Sequence, residues 1–198
     1  MSLQELFPTL RPVVDEFERL GIEYYIGGSV ASSYYGEPRA TLDIDLGAAI
    51  NKSQVSELVA AWDRDFYVSE PAMRDAVQRG RCFNLVHLTS TYKVDVFVRG
   101  SDAFSASVLS RRRSKIIPIG DERPTFWFAS PEDVILQKLV WFRKGGETSD
   151  RQWRDISLVW KYQCPTADAA YIAEWAETLN VLDLWERIRH EVQTGDRP

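Results

Sequence analysis

The sequence predicts a fold of the α/β class, and within it the α+β type, with a mixed sheet flanked by helices and an all-helical C-terminal extension. Before Ser130, short segments in which apolar and polar residues alternate are interspersed with segments whose apolar residues recur at helical spacing. After Ser130, only the helical spacing continues. We therefore expect a core over residues 1–129 and a helical extension over residues 130–198 that packs on the core.

The core alternates helices and strands. Apolar residues at helical spacing predict helices over 12–20, 30–35, 53–62, 71–78 and 103–109. Alternation and a high content of β-branched and aromatic residues predict strands over 24–26, 42–46, 81–88, 92–98, 115–119 and 126–128. Residues 89–91 separate two of these strands as a hairpin turn would, so we expect antiparallel pairing where Asp95 lies.

The extension contains clear signals for helix starts. Ser130 suits an N-cap, Pro131 the first helical position, and the acidic residues after it the first turn, which predicts a helix to about residue 143. Ser149 and Gln152 form a capping-box pattern before the next helix, whose buried stripe includes Trp153 and Trp160. Two further helices are predicted over 167–179 and 181–192.

Composition excludes several classes of protein. The net charge is −5, so a general affinity for polyanions is not expected, and nucleic acid would have to meet a local basic patch. Cys82 and Cys164 form neither a disulfide framework nor a zinc knuckle, which indicates a reducing compartment. The first residues lack the pattern of a signal peptide, and no run of about 20 apolar residues predicts a membrane span. We expect a cytoplasmic protein.

Two features define the central stretch of the sequence. A glycine turn (Gly27, Gly28 and Ser29) follows the first strand and precedes a helix, where free backbone N–H groups attract anions such as phosphate and Ser29 would cap the helix. Asp43 and Asp45 then alternate with apolar residues, so both point to one face of a strand. Two carboxylates beside a phosphate site suggest a nucleotide site that contains Mg²⁺.

This stretch resembles the signature of the nucleotidyltransferase superfamily typified by DNA polymerase β. That signature has a hydrophobic residue, Gly and Gly/Ser, a spacer, and then Asp, a hydrophobic residue and Asp, as in Ile26-Gly27-Gly28-Ser29 and Asp43-Ile44-Asp45. The family has a third carboxylate between hydrophobic residues on a later strand, and Asp95 matches it. The resemblance implies a nucleotidyltransferase-like fold, with NTP as substrate and Mg²⁺ or Mn²⁺ as cofactor.

The resemblance also implies roles for individual residues. Asp43, Asp45 and Asp95 would bind metal, with Asp95 also placed to activate the acceptor hydroxyl. Gly27, Gly28 and Ser29 would contact phosphate, although such a turn also serves ordinary strand-to-helix connections. Arg39 and Thr41 precede Asp43 and could reach the triphosphate, although Arg39 could equally be a solvated loop charge. The competing interpretation of the three aspartates is acidic surface residues at strand edges.

A second, shorter resemblance lies in the extension. The Ser130-Pro131-Glu132-Asp133 start with Lys138, followed by a helix with Arg154-Asp155, is similar to the C-terminal part of the AbiE-type toxin nucleotidyltransferases. It implies that Lys138 and Asp155 belong to the nucleotide site, that the acceptor is the 3′ end of tRNA, and that an antitoxin protein is a partner. A lysine beside an apolar stripe can also extend its ammonium to solvent, which is the competing interpretation of Lys138.

The sequence leaves two alternative functions open. The acceptor could be a protein Tyr or Ser that receives AMP, or the domain could bind a nucleotide or a partner protein without catalysis.

One dense basic cluster, made of Arg111, Arg112, Arg113 and Lys115, could contact RNA phosphates or form a solvated surface run. His87 and His190 are isolated, and we expect no catalytic histidine.

Overall fold

The structure, a computed structural model, describes residues 6–195. It divides into two compact units. The first comprises the described residues up to Val30 together with Ala40–Ala129, and the second comprises Ala31–Arg39 together with the described residues from Ser130. The segment between Ala31 and Arg39 therefore belongs to the helical unit, although it lies within the N-terminal part of the sequence.

The order of helices and strands follows the chain. Up to Ser110 the elements are α1 (Phe7–Arg19), β1 (Tyr24–Ile26), α2 (Gly28–Tyr35), β2 (Asp43–Ala48), a 3-10 turn (Lys52–Gln54), α3 (Val55–Trp62), β3 (Phe66–Val68), α4 (Glu70–Arg79), β4 (Cys82–His87), β5 (Lys93–Val98) and α5 (Ala103–Ser110). They continue with β6 (Arg113–Ile116), β7 (Thr125–Phe128), α6 (Pro131–Lys144), α7 (Asp150–Gln163), α8 (Ala169–Thr178) and α9 (Leu182–Thr194).

The strands of the described residues form one mixed sheet in the first unit, with the order β3-β4-β5-β2-β1-β7-β6. The β2–β5 and β1–β7 pairs are parallel, and the other neighbours are antiparallel. The predicted α+β fold with a mixed sheet is therefore confirmed. The predicted antiparallel hairpin is β4–β5, and its turn includes Thr91 at a φ of 60°.

Aromatic packing fills the core behind the sheet. The Phe17 ring on α1 lies 5.6 Å from the Trp62 ring on α3 and 5.8 Å from the Tyr24 ring on β1. These three side chains are almost completely buried, and burial of side chains of this size stabilises a fold by roughly 2–3 kcal/mol each. The core therefore holds β1, and with it the turn that follows β1, in a fixed position.

The largest differences from the sequence prediction concern α1, β6 and β3. Helix α1 begins at Phe7 rather than residue 12, because Pro8 occupies its first turn and the helix continues through Pro12. Strand β6 begins at Arg113 rather than residue 115 and ends at Ile116. Strand β3 was not predicted, because three consecutive apolar residues show no alternation, and its antiparallel pairing with β4 is a tertiary feature.

Two predicted helix starts in the second unit are confirmed. The Ser130 hydroxyl accepts a hydrogen bond from the backbone N–H of Asp133, and the Ser149 hydroxyl accepts one from that of Gln152. The helices pack through aromatic rings, including a perpendicular Trp160–Trp185 pair at 4.7 Å. None of the helices described between residues 6 and 195 has the length and apolar character needed to cross a membrane.

Candidate active site

The three predicted carboxylates lie on one face of the sheet. The parallel register of β2 and β5 places Asp45 beside Asp95 and Asp43 beside Lys93. Register neighbours share a face, and side chains two residues apart along a strand share it too, so Asp43, Asp45 and Asp95 have a common face. We call these three residues the carboxylate face.

The side chains on the opposite face of β2 and β5 are buried. Its residues are Ile44 and Leu46 on β2 and Val94 and Val96 on β5, each at most 1% exposed. Asp43, in contrast, is exposed, and Asp45 and Asp95 are partly exposed. Burial of the apolar side chains therefore determines which way β2 and β5 face, and it leaves the carboxylates accessible. The alternative of unrelated surface aspartates does not account for the side-by-side register of Asp45 and Asp95.

The glycine turn lies directly against the carboxylate face. The Gly27 N–H donates to the backbone oxygen of Asp45 at 2.9 Å. Gly28 has a φ of +52°, and a Cβ at that position would overlap the Asp45 carboxylate. Glycine is therefore required at position 28 for its left-handed backbone and for the space that Asp45 occupies. Ser29 is the second residue of α2, so its predicted position as the residue before the helix is wrong.

Thr41 organises the start of β2. Its hydroxyl donates to the backbone oxygen of Asp43 at 3.1 Å and accepts from the N–H of the same residue at 3.4 Å. This local bonding favours one conformation of the chain as it enters the strand. In this structure Thr41 therefore orients Asp43, the first residue of the carboxylate face.

Lys93 is a site residue that the sequence analysis missed. Its Nζ donates to Asp95 Oδ2 at 2.8 Å, and the hydrogen bond to Asp95 raises the pKa of the Lys93 ammonium above its ordinary value. The sequence pattern could have identified Lys93, because it precedes Asp95 by two residues and residues two apart on a strand share a face.

The face continues beyond Asp95 onto β4. Asn84 is the register partner of Asp95, and Cys82 is the partner of Phe97. Asn84 is exposed and shares the face of Asp95, so its side chain is accessible from solvent. Burial, together with the charge of Asp95, raises the pKa of the Cys82 thiol to about 11. A thiol with that pKa is protonated at neutral pH and is therefore a poor nucleophile.

A second cluster of predicted residues lies in the helical unit. Asp155 on α7 accepts two hydrogen bonds from Arg39, at 2.9 and 2.8 Å, and one from the Lys138 ammonium on α6 at 2.9 Å. The Ser32 hydroxyl lies 3.5 Å from Asp155 Oδ2. Two cations thus surround one carboxylate, and this cation cluster (Arg39, Lys138 and Asp155) has a net positive charge.

Burial makes the pairing in the cation cluster strong. The side chains of Lys138, Asp155 and Arg39 are 10%, 8% and 24% exposed. Burial by itself raises the pKa of the Asp155 carboxyl, but the hydrogen bonds from Arg39 and the charge of Lys138 outweigh it and hold that pKa below its ordinary value. The alternatives of a solvated Arg39 and of a Lys138 ammonium extended to solvent are therefore wrong.

The predicted site residues thus form two groups. Gly27, Gly28, Ser29 and Thr41 accompany the carboxylate face in the first unit, and Arg39, Lys138 and Asp155 form the cation cluster in the second. Each group is assembled inside its own unit. In the cation cluster, Arg39 and Asp155 are 116 positions apart in sequence, and Lys138 and Asp155 are 17 positions apart.

The donor set of the carboxylate face fits Mg²⁺ or Mn²⁺. Both ions prefer carboxylate oxygens, and protein sites for Mg²⁺ commonly use one or two carboxylates and substrate phosphates. Asp43 and Asp45 match that requirement by residue type and by position. Between residues 6 and 195, no group of three or more His, Cys, Asp or Glu side chains is arranged closely enough to hold a metal. The Asp95 carboxylate is instead bonded to the Lys93 ammonium.

The basic cluster at the end of α5 has intramolecular contacts of its own. The Arg112 guanidinium lies 4.8 Å from the centre of the Trp127 ring, pairs with Glu23 at 2.9 Å and donates to the backbone oxygen of Leu109. These contacts connect Arg112 to Trp127 on β7 and to Glu23, the residue before β1. Arg112 therefore has a structural role whatever its neighbours bind.

Comparison with known proteins places the fold. Neither models of protein families nor curated protein sequences give a match. Among solved structures, the chain is similar to an antigenic nucleotidyltransferase-like protein from Paracoccidioides brasiliensis, with 17% identity, a TM-score of 0.55, and 98% of this chain and 94% of that chain covered. The chain thus has a nucleotidyltransferase-like fold, and the fold that the sequence resemblance implied is confirmed.

Two further solved structures also match, at TM-scores below 0.5. ANT(2″)-Ia in complex with adenylyl-2″-tobramycin is 13% identical with a TM-score of 0.48, and the match covers 93% of this chain and 97% of that chain. The lincosamide antibiotic adenylyltransferase LnuA, bound to lincomycin, is 14% identical with a TM-score of 0.45, and the match covers 76% of this chain and 93% of that chain.

Proposed function

We propose that the protein is a metal-dependent nucleotidyltransferase that moves a nucleoside monophosphate from an NTP to an acceptor hydroxyl. The observation that supports this most directly is the register that places Asp43, Asp45 and Asp95 on one open face, with Gly28 against Asp45. Nucleotidyl transfer requires aligned phosphates and neutralised charge rather than a covalent intermediate. An accessible set of carboxylates beside an anion-binding turn meets that requirement.

In the proposed reaction, the acceptor oxygen forms a bond to the α-phosphorus, and the bond from that phosphorus to the bridging oxygen breaks to release pyrophosphate. Asp95 accepts the proton of the acceptor hydroxyl. Asp43 and Asp45 would hold Mg²⁺ or Mn²⁺, which when bound supplies positive charge against the triphosphate. The N-terminal end of α2 at Gly28 and Ser29 holds phosphate oxygens, because the Gly27 N–H is already bonded to the backbone oxygen of Asp45. Thr41 keeps Asp43 in position.

The cation cluster is proposed to support the nucleotide. Asp155 bonds both the Arg39 guanidinium and the Lys138 ammonium, and cationic side chains of these types suit the phosphates of a nucleotide. In this role Asp155 positions the Arg39 guanidinium and the Lys138 ammonium and does not itself contact phosphate.

Paired substitutions test the proposal. We expect Asp43→Ala with Asp45→Ala to lower transfer of labelled nucleotide by at least about a thousandfold, because it removes the proposed metal ligands. The matched control is Asp63→Ala with Asp65→Ala, which removes two exposed aspartates at the same spacing and should leave transfer unchanged. Undiminished transfer by the first double variant would refute the mechanism.

The acceptor is proposed to be the 3′ end of tRNA, with an antitoxin protein as partner and a cytoplasmic setting. The capped start of α6, Lys138 in that helix and Asp155 in the next helix occur in an order that is similar to the one in AbiE-type toxin enzymes, and this similarity supports the choice. The test supplies each NTP labelled at the α-phosphate together with intact tRNA or with tRNA whose terminal diol has been oxidised by periodate. Label should enter intact tRNA only. Label in lysate proteins would indicate AMP transfer to protein, and NTP binding without transfer would indicate a binding domain.

A further inference from the structure

The ammonium of Lys93 is bonded to Asp95, the member of the carboxylate face that the sequence resemblance implies as a third metal ligand. Lys93 lies beside Asp43 in the parallel register and two residues before Asp95 on its own strand, so it shares the carboxylate face with both. Its Nζ is 2.8 Å from Asp95 Oδ2. The side chains are 41% and 17% exposed, so the pair is accessible to ions from solvent.

We propose that Lys93 is a built-in counter-ion that competes with a divalent cation for Asp95, an inference that rests on the proposed function of the same site. Three carboxylates on one face repel one another, and the ammonium reduces that repulsion. A divalent cation that binds Asp95 must displace the ammonium, and any cation that binds near it is repelled by its charge. Lys93 therefore weakens the affinity of the nucleotide-free protein for metal.

This competition has a consequence for the order of binding. An NTP brings its own phosphate oxygens as metal ligands, so a metal–nucleotide complex depends less on Asp95 than a bare ion does. Lys93 thus favours entry of the metal together with the nucleotide over entry of the metal alone. The Lys93–Asp95 pair is only partly buried, so we expect it to contribute little to folding, as is usual for solvent-accessible ion pairs.

Direct Mn²⁺ binding, without nucleotide, tests the proposal. The titration uses the full-length protein and is followed by electron paramagnetic resonance of free Mn²⁺. Removing the competing charge with Lys93→Met should lower the Kd for Mn²⁺ by roughly three- to tenfold, as expected for loss of one accessible ion pair. Lys93→Arg keeps the charge and should match the wild type. Lys52→Met removes an exposed lysine elsewhere and should also match the wild type.

A second background makes the result specific to Asp95. In an Asp95→Asn protein the competition no longer exists, so adding Lys93→Met should change the Kd by less than in the wild type. An unchanged or higher Kd in the Lys93→Met protein, or no Mn²⁺ binding by any variant, would overturn the proposal.

Nucleotide transfer is measured separately and distinguishes this proposal from the proposed function. If Lys93→Met binds Mn²⁺ more tightly but the wild type transfers no nucleotide, the counter-ion proposal is supported and the proposed enzymatic function is refuted. Transfer that requires Asp43 and Asp45, combined with an unchanged Kd in Lys93→Met, would refute the counter-ion alone.

Discussion

Replacing Gly28 by alanine tests the contact between the glycine turn and the carboxylate face. The new methyl group would have two effects. It would place a side chain on a backbone with a φ of +52°, and it would overlap the Asp45 carboxylate. Gly21 offers a matched control, because its φ is +65° and nothing lies within 4 Å of a Cβ built there.

The control separates the two costs. An alanine in the left-handed region costs roughly 1–2 kcal/mol, and both variants have this cost. Only Gly28→Ala must also displace a packed carboxylate, and overpacking of this kind costs roughly 1–3 kcal/mol. We therefore expect Gly28→Ala to lower the free energy of unfolding by about 2 kcal/mol more than Gly21→Ala does.

The displacement should also alter the site. A shift of a metal ligand by about 1 Å is enough to lower a reaction rate by roughly a hundredfold. Urea unfolding measures the stability of both variants, and Mn²⁺ binding and nucleotide transfer measure the site. If Gly28→Ala and Gly21→Ala had the same stability, Kd and transfer rate, the proposed role of the Gly28–Asp45 approach would be wrong.

Two further predictions concern charge. Asp155→Asn removes the carboxylate charge that bonds both Lys138 and Arg39, and loss of one charge from a buried pair should lower the free energy of unfolding by about 3 kcal/mol at pH 7. Because the pKa of folded Asp155 is below its ordinary value, this stabilisation is complete above about pH 4 and is lost as pH falls further, so the wild type and Asp155→Asn should converge in urea unfolding at low pH. Equal stability of the two proteins at pH 7 would contradict this assignment. In a Cys164→Ser protein, the rate of Cys82 alkylation should rise about tenfold per pH unit between pH 8 and pH 10, because its thiol has a pKa of about 11. Mass spectrometry measures the rate, and a plateau below pH 9 would contradict the raised pKa.

The sequence was informative where the physical cause is local. Alternation of apolar and acidic residues predicted the shared face of Asp43 and Asp45, and capping chemistry predicted the starts of α6 and α7. In each case the residues that determine the conformation are within a few positions of one another, so their spacing is visible in the chain.

Features that depend on tertiary pairing were not predictable in the same way. The parallel register that brings Asp95 beside Asp45 joins strands that are separated by two helices and two other strands. The ion pairs of Arg39 with Asp155 join residues 116 positions apart. No local pattern specifies either partner, so resemblance to a known family suggested Asp95, and nothing in the sequence indicated that Arg39 bonds Asp155.

The division of the chain between the two units restricts how its parts can be exchanged. The boundary is crossed after Val30, after Arg39 and after Ala129. Gln163, which bonds the backbone oxygen of Tyr35, and Asp155, which bonds Arg39, both lie beyond Ser130. A chimera made by a single crossover at position 129 would therefore separate Arg39 from Asp155. To exchange the helical unit with that of a related protein, residues 31–39 have to be transferred together with the residues from Ser130 onward.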